Sequence, residues 1–136
     1  MGRRESDAVK NITGDKPVFL FFYNSITNRF MEFDLKKFTS TLKERPAMIL
    51  GVDTGKFLAY QCFLEGFLLG LQVGTNDEIM YRFGRFVNKK LINYDSSSVV
   101  WSFTFNRKYA DYSDAQKINE LIILMEEFSD AEDQIS

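Results

Sequence analysis

Histidine is absent from all 136 positions. Its absence removes the Ser-His-Asp and Cys-His pairs by which many hydrolases activate a nucleophile, and it removes the nitrogen ligands that zinc sites combine with cysteine. Cysteine is nearly absent as well. Cys62 stands alone, so the chain forms no internal disulfide and lacks the Cys and His spacing of a structural zinc site; such usage fits a reducing cytoplasm. The opening residues MGRRESDAVKNITGDK have charges but no apolar stretch of the kind a secretory signal needs. The only candidate membrane segment, 57–73, is shorter than the ~20 apolar residues a bilayer requires and contains Gln61 and Glu65. It is expected to be a core helix with no membrane contact.

Apolar and aromatic residues are plentiful: 45% of the chain is hydrophobic and 15% aromatic, with fourteen Phe, enough to build a large core and exclude general disorder. The length suits one domain, 1–136, with 1–16 expected as a flexible N-terminal segment and 129–136 as an acidic C-terminal tail. The net charge of −2 hides an asymmetry. From Glu120 onward the chain carries Glu120, Glu126, Glu127, Asp130, Glu132 and Asp133 and no base; without those six, 17 basic residues face 13 acidic ones, a formal +4 over 1–119. That acidic end suits a basic partner, or a solvated terminus.

Along the chain, 17–33 holds two apolar runs separated by Asn24, Ser25, Thr27 and Asn28, which leaves room for a short β-hairpin. Asp34 is placed to cap a helix over 34–44 with Leu35, Phe38 and Leu42 on its apolar stripe; Pro46 ends it. Residues 45–54 read as a turn that sends Met48 and Ile49 into the core, with Gly51 available for positive φ. Asp53 or Thr54 would cap the next helix, which ends near Gly74. Its apolar residues cover most of its circumference, so it is expected to be central in the fold, with Phe67 buried and Gly66 and Gly70 allowing a close helix approach. Within it, Glu65 needs a partner.

Asn76 is expected to cap a helix with Ile79, Phe83, Phe86 and Val87 inward and Lys89 and Lys90 in its last turn. Residues 94–99 read as a polar loop. Trp101, Phe103 and Phe105 alternate with Ser102 and Thr104, a strand pattern. Ser113 and Gln116 form a capping box ahead of Ile118, Leu121, Ile122, Met125 and Phe128. Composition and periodicity therefore predict a mainly α, compact single-domain bundle around an apolar helix, with α+β as the alternative if 99–105 is a strand.

Arg45, Pro46, Met48 and Gly51, then Phe57 or Leu58, Phe63, Leu64, Gly66 and Phe67, fall where small bacterial proteins carry Arg-Pro-x-Met-Tyr-x-Gly followed by Leu-x-x-Phe-Leu-x-Gly-Tyr. The chain thus resembles immunity proteins of polymorphic-toxin and contact-dependent growth-inhibition systems. Ser98, Trp101, Tyr109 and the LMEEF of the last helix extend the resemblance, which covers roughly 34–128 and implies a helix where alternation suggests a strand. Ile49 and Phe67 stand where the pattern has Tyr. What the resemblance implies is a cytoplasmic binder, not an enzyme, that occludes the active site or substrate cleft of a cognate toxin domain, often a nuclease.

For such a binder the candidate contacts are Glu120, Glu126, Glu127, Asp130, Glu132 and Asp133, with Tyr94, Tyr109 or Tyr112 as aromatic anchor. No cofactor and no metal is expected. Direct nucleic-acid binding is not expected either: Arg82, Arg85 and Lys89 line one helix side, but so do the charges of any solvated helix, and no nucleic-acid motif accompanies them. GVDTGK lacks the phosphate-loop spacing, because Phe57 occupies the Ser/Thr position. A self-associating structural or regulatory adaptor is the alternative function, and an enzyme working through carboxylates a more distant one.

Overall fold

A computed structural model describes residues 34–51 and 53–135. Within that range the chain forms six helices and no strand: α1 Leu35–Glu44, α2 Pro46–Leu50, α3 Phe57–Thr75, α4 Ile79–Ile92, α5 Trp101–Lys108 and α6 Asp114–Ile135. The mainly α reading holds. The flexible N-terminal segment expected over 1–16 and the hairpin expected in 17–33 lie outside the described residues.

The first helix starts as its cap dictates, with the Asp34 carboxylate accepting the Lys37 N–H at 3.0 Å. Leu42 is fully buried, and Leu35 and Phe38 pack against the core. At Arg45 the backbone swings to φ −138°, ψ 60°, because the ring of a following proline disfavours the helical region. Pro46 then opens α2 at its first position, where its missing N–H costs nothing, so part of the expected turn is a short helix. Gly51 ends it with φ +83°. Met48 is 69% exposed instead of buried, whereas Ile49 and Leu50 pack on the core.

Neither Asp53 nor Thr54 caps α3; Lys56 holds the cap position without a side-chain bond. The helix runs to Thr75, and Asn76, at φ 57°, closes it in the left-handed conformation. Asn76 therefore ends α3 rather than capping α4, whose cap position is taken by Glu78. At 19 residues α3 is long and apolar enough to cross a membrane by length and composition. It packs into the core through one face, Phe57, Tyr60, Leu64 and Leu68. Leu58, Leu69 and Val73 on its other side are exposed, Val73 by 77%, and Phe67 is half-buried. All-round apolarity has not produced all-round burial. A Cβ placed on Gly66 or Gly70 meets no atom within 4 Å, so among the described residues no helix approaches there.

The core is a run of aromatic contacts through four helices. Phe83 of α4 meets Phe128 of α6 edge-on at 5.2 Å and Trp101 of α5 at 5.4 Å. Trp101 leads to Phe105 at 6.1 Å, and Phe105 stacks on Phe57 of α3 at 5.0 Å. Leu121, Ile122, Leu124 and Met125 fill the space along α6, which packs against α1, α3 and α4. This arrangement settles the form of 101–108. A helix puts Trp101 and Phe105 on one face and turns Phe103 to the other; both former rings are buried and Phe103 is 57% exposed.

The last helix opens with the expected capping box: Ser113 N–H donates to Gln116 Oε1 at 2.9 Å, and Gln116 N–H donates to Ser113 Oγ at 3.2 Å. It continues through 129–135, where an acidic tail was expected, and buries Ser129.

Substituting Phe105 by Ala is expected to cost about 3–5 kcal/mol in urea unfolding, and Phe103 by Ala no more than about 0.5 kcal/mol. Comparable losses would mean that the two rings are equally packed, as in a strand.

Candidate functional site

The connection between α4 and α5 is a loop organised from below by one buried side chain. Asn93 closes α4 at φ 56°, its N–H bonding the Lys89 carbonyl at 3.0 Å while the Tyr94 N–H bonds the Asn88 carbonyl at 3.1 Å. Asn88 is completely buried. Its amide donates to the carbonyls of Ser96 and Val99, both at 2.8 Å, and its oxygen accepts the Thr104 hydroxyl. Every polar atom of that side chain therefore has a partner, and the partners span the loop and α5. Gly84 lets the loop lie close: a Cβ there would sit 3.6 Å from the Ser97 Cβ. Above, Ser98 N–H donates to Ser96 Oγ at 3.0 Å, and the Tyr94 and Ser98 hydroxyls pair at 2.9 Å.

A loop held down in this way shapes two adjoining grooves that share Val99 as a wall. The first, about 330 Å³, lies between α3, α4 and α5, with Leu69, Tyr81, Val100 and Trp101 along it and Glu65 at one side. The second, about 420 Å³, is bordered by Ile92, Phe103, Arg107 and Lys108. Arg107 lies over the Phe103 ring, 5.6 Å from its centroid. Leu69, Tyr81, Ile92, Val100 and Phe103 are all exposed. Large apolar side chains gathered around grooves on a protein surface mark an interaction site more often than scattered ones do.

Glu65 is half-buried in the first groove, and Ser102 Oγ donates to its Oε2 at 2.7 Å. The partner that its position on an apolar helix called for is thus a neutral hydroxyl.

Eight of the nine nominated contact residues fall into three groups, and Tyr94 lies apart from them in the loop between α4 and α5. Glu126, Asp130 and Asp133 face α1, where Lys43 pairs with Glu126 at 3.1 Å and Lys36 with Asp130 and Asp133 at 3.2 and 3.0 Å. A polar cleft of about 370 Å³ lies there. Glu127 and Glu132 face α4 instead. Lys90 pairs with Glu127 at 3.3 Å, and Arg82 binds Glu132 and Asp77 together, its nearest contacts 2.9 and 2.7 Å. Glu120, Tyr109 and Tyr112 meet at the start of α6: the tyrosine rings are 4.8 Å apart, and the Tyr109 hydroxyl is 3.5 Å from Glu120 Oε1, long for a hydrogen bond. Burial pushes the Tyr109 phenol above its usual range, with the Glu120 charge adding to the effect. Tyr112 and Tyr94 are exposed, Tyr109 half-buried.

Five of the six acidic residues are therefore spoken for by bases on α1 and α4. Two of the three bases in the row on α4 are spoken for in the same way, Arg82 as described and Arg85 by Asp95 at 3.0 Å. Sequence reasoning missed the grooves. Exposed Leu69, Val100 and Phe103 read as core letters until the helix faces are known, and only Glu65 signalled the place. Among the described residues no group of three or more His, Cys, Asp or Glu is placed to hold a metal ion. Compared with models of protein families, with curated proteins and with solved structures, the chain matches none.

Replacing Asn88 by Ala strands two carbonyls and a hydroxyl in the interior; the expected loss is at least about 2 kcal/mol, with faster amide hydrogen exchange in 96–99 as the specific sign. A pH effect follows from Asp77, whose carboxyl is held below its usual range chiefly by hydrogen bonds from Arg82. A lowered folded pKa stabilises the fold above the ordinary carboxylate range of about 4, and that contribution disappears as pH falls through the folded value. Asp77→Asn should flatten this part of the acid dependence of the melting temperature and leave the curve above pH 6 parallel to that of the parent. An unchanged acid limb would rule the Arg82 pairing out as its source.

Proposed function

We propose that the chain is an immunity-type protein that binds one cognate toxin domain and blocks its active site or substrate cleft by occupying surface. The observation that carries this reading is the exposed apolar surface around the two grooves, Leu69, Tyr81, Val100 and Phe103 among them, which offers area to a protein partner. The resemblance of residues 45–74 to bacterial immunity proteins gives the partner its class. In this mechanism the apolar surface supplies the close contact, and the carboxylates of α6 modulate the approach of a basic toxin from the rim. Their ion pairs with α1 and α4 reduce the field they can project. The grooves consequently replace the acidic helix as the first place to look for the interface.

A second reading, a self-associating adaptor, draws on the exposed Leu58, Leu69 and Val73 of α3. The two predict different stoichiometries.

Co-expression with a toxic domain encoded beside this gene should restore cell survival, and the purified pair should form a one-to-one complex by calorimetry with an affinity unaffected by the concentration of this chain alone. Association of the chain with itself in sedimentation, together with failure to rescue, would favour the adaptor.

A further inference from the structure

We infer that the groove beside Glu65 receives a basic side chain, arginine or lysine, that a partner protein presents next to an apolar residue. From Phe57 to Thr75, Glu65 is the only charged residue of α3. It lies half-buried against an apolar wall, and among the described residues no lysine or arginine pairs with it. By contrast, each of the five carboxylates that α6 carries along 126–133 has such a base. The difference is chemical as well as geometric. Ser102 fixes one carboxylate oxygen at 2.7 Å and so orients the group, yet a neutral hydroxyl leaves its charge uncompensated.

Partial removal of a carboxylate from water strengthens its attraction for an incoming cation, and Glu65 is already half-buried in the groove. Leu69, Tyr81 and Val100 stand exposed around it. An apolar neighbour of the incoming cation would cover them, as buried hot spots at protein interfaces combine a charge-assisted bond with an apolar anchor. A free small cation could satisfy Glu65 but would leave that apolar rim in water. The occupant is therefore a protein segment. The inference rests on reading the chain as a protein binder and adds what it recognises; it does not depend on which toxin is bound.

A random twelve-residue peptide library displayed on phage, selected on the full chain, tests this without any toxin. The recovered sequences should share an arginine or lysine beside an apolar residue. Chemically made peptides of that consensus should alter the fluorescence of Trp101, the single tryptophan, which lines the groove. Glu65→Gln keeps the side-chain shape and an acceptor for Ser102 while removing the charge, and should weaken binding at least tenfold. Val100→Lys, at a position 59% exposed, should do the same by placing a cation beside Glu65, with the helical circular dichroism of the protein retained, as should citrulline in place of arginine in the peptide. Selection that yields no binder, binders without a basic residue, or binders indifferent to both variants would overturn the proposal. So would a self-associated chain that Val100→Lys turns into a monomer, because the groove would then hold a second copy. Failure of toxin rescue alone would strike at the immunity reading and leave this one standing.

Discussion

The packing of Trp101 and Phe105 against Phe83 and Phe57 is the contact on which the rest of the structure depends. Two rings four residues apart come within 6.1 Å of each other, as these do, only if the backbone between them is helical, since a strand would set them about 13 Å apart. That requirement overrides the alternation of Trp101, Phe103 and Phe105, which taken locally favours a strand. Burial decides the matter: two aromatic side chains removed from water outweigh the exposure of one. Phe103 is left outside as a result, and becomes a wall of the larger groove.

The same helix positions Thr104 and Ser102, which connect the core to the surface. Thr104 completes the hydrogen bonding of Asn88, and Asn88 holds the carbonyls of the preceding loop. Ser102 reaches across to Glu65 of α3. One eight-residue helix therefore anchors the core through its aromatic face and defines two grooves through its polar and outward residues. Because a buried amide with all its bonds made is costly to rearrange, the loop between α4 and α5 is held as a fixed surface.

Charge is arranged differently. Along α6 the acids stand in two flanks, one toward the lysines of α1 and the other toward Arg82 and Lys90 of α4. The adjacent residues Glu126 and Glu127 go to opposite flanks, since neighbouring positions on a helix point about 100° apart. The charge asymmetry visible in the sequence is thus largely used to join α6 to its neighbours. Arg82 is the clearest instance, its planar guanidinium binding carboxylates from two elements at once.

Much of the local structure was legible in the sequence, because it depends on short-range chemistry. The Asp34 cap, the chain's departure from helix before Pro46, the positive φ of Gly51 and the Ser113–Gln116 box each follow from atoms within a few residues. Other boundaries shifted for equally local reasons. Asn76 tolerates the left-handed conformation and so closes α3 in preference to capping α4, and Pro46 starts a helix as readily as it stops one. The surface was not legible. Sequence determined four of the six helices, the inward stripes of α1, α4 and α6, and the apolar character of α3. Only the tertiary structure decided which side of α3 is packed, that Phe103 and Val100 face solvent, and that Glu65 meets a hydroxyl while the acids of α6 meet bases. Those outcomes depend on which helix lies against which, and residues 37 or 83 positions apart come together through packing that no local pattern encodes.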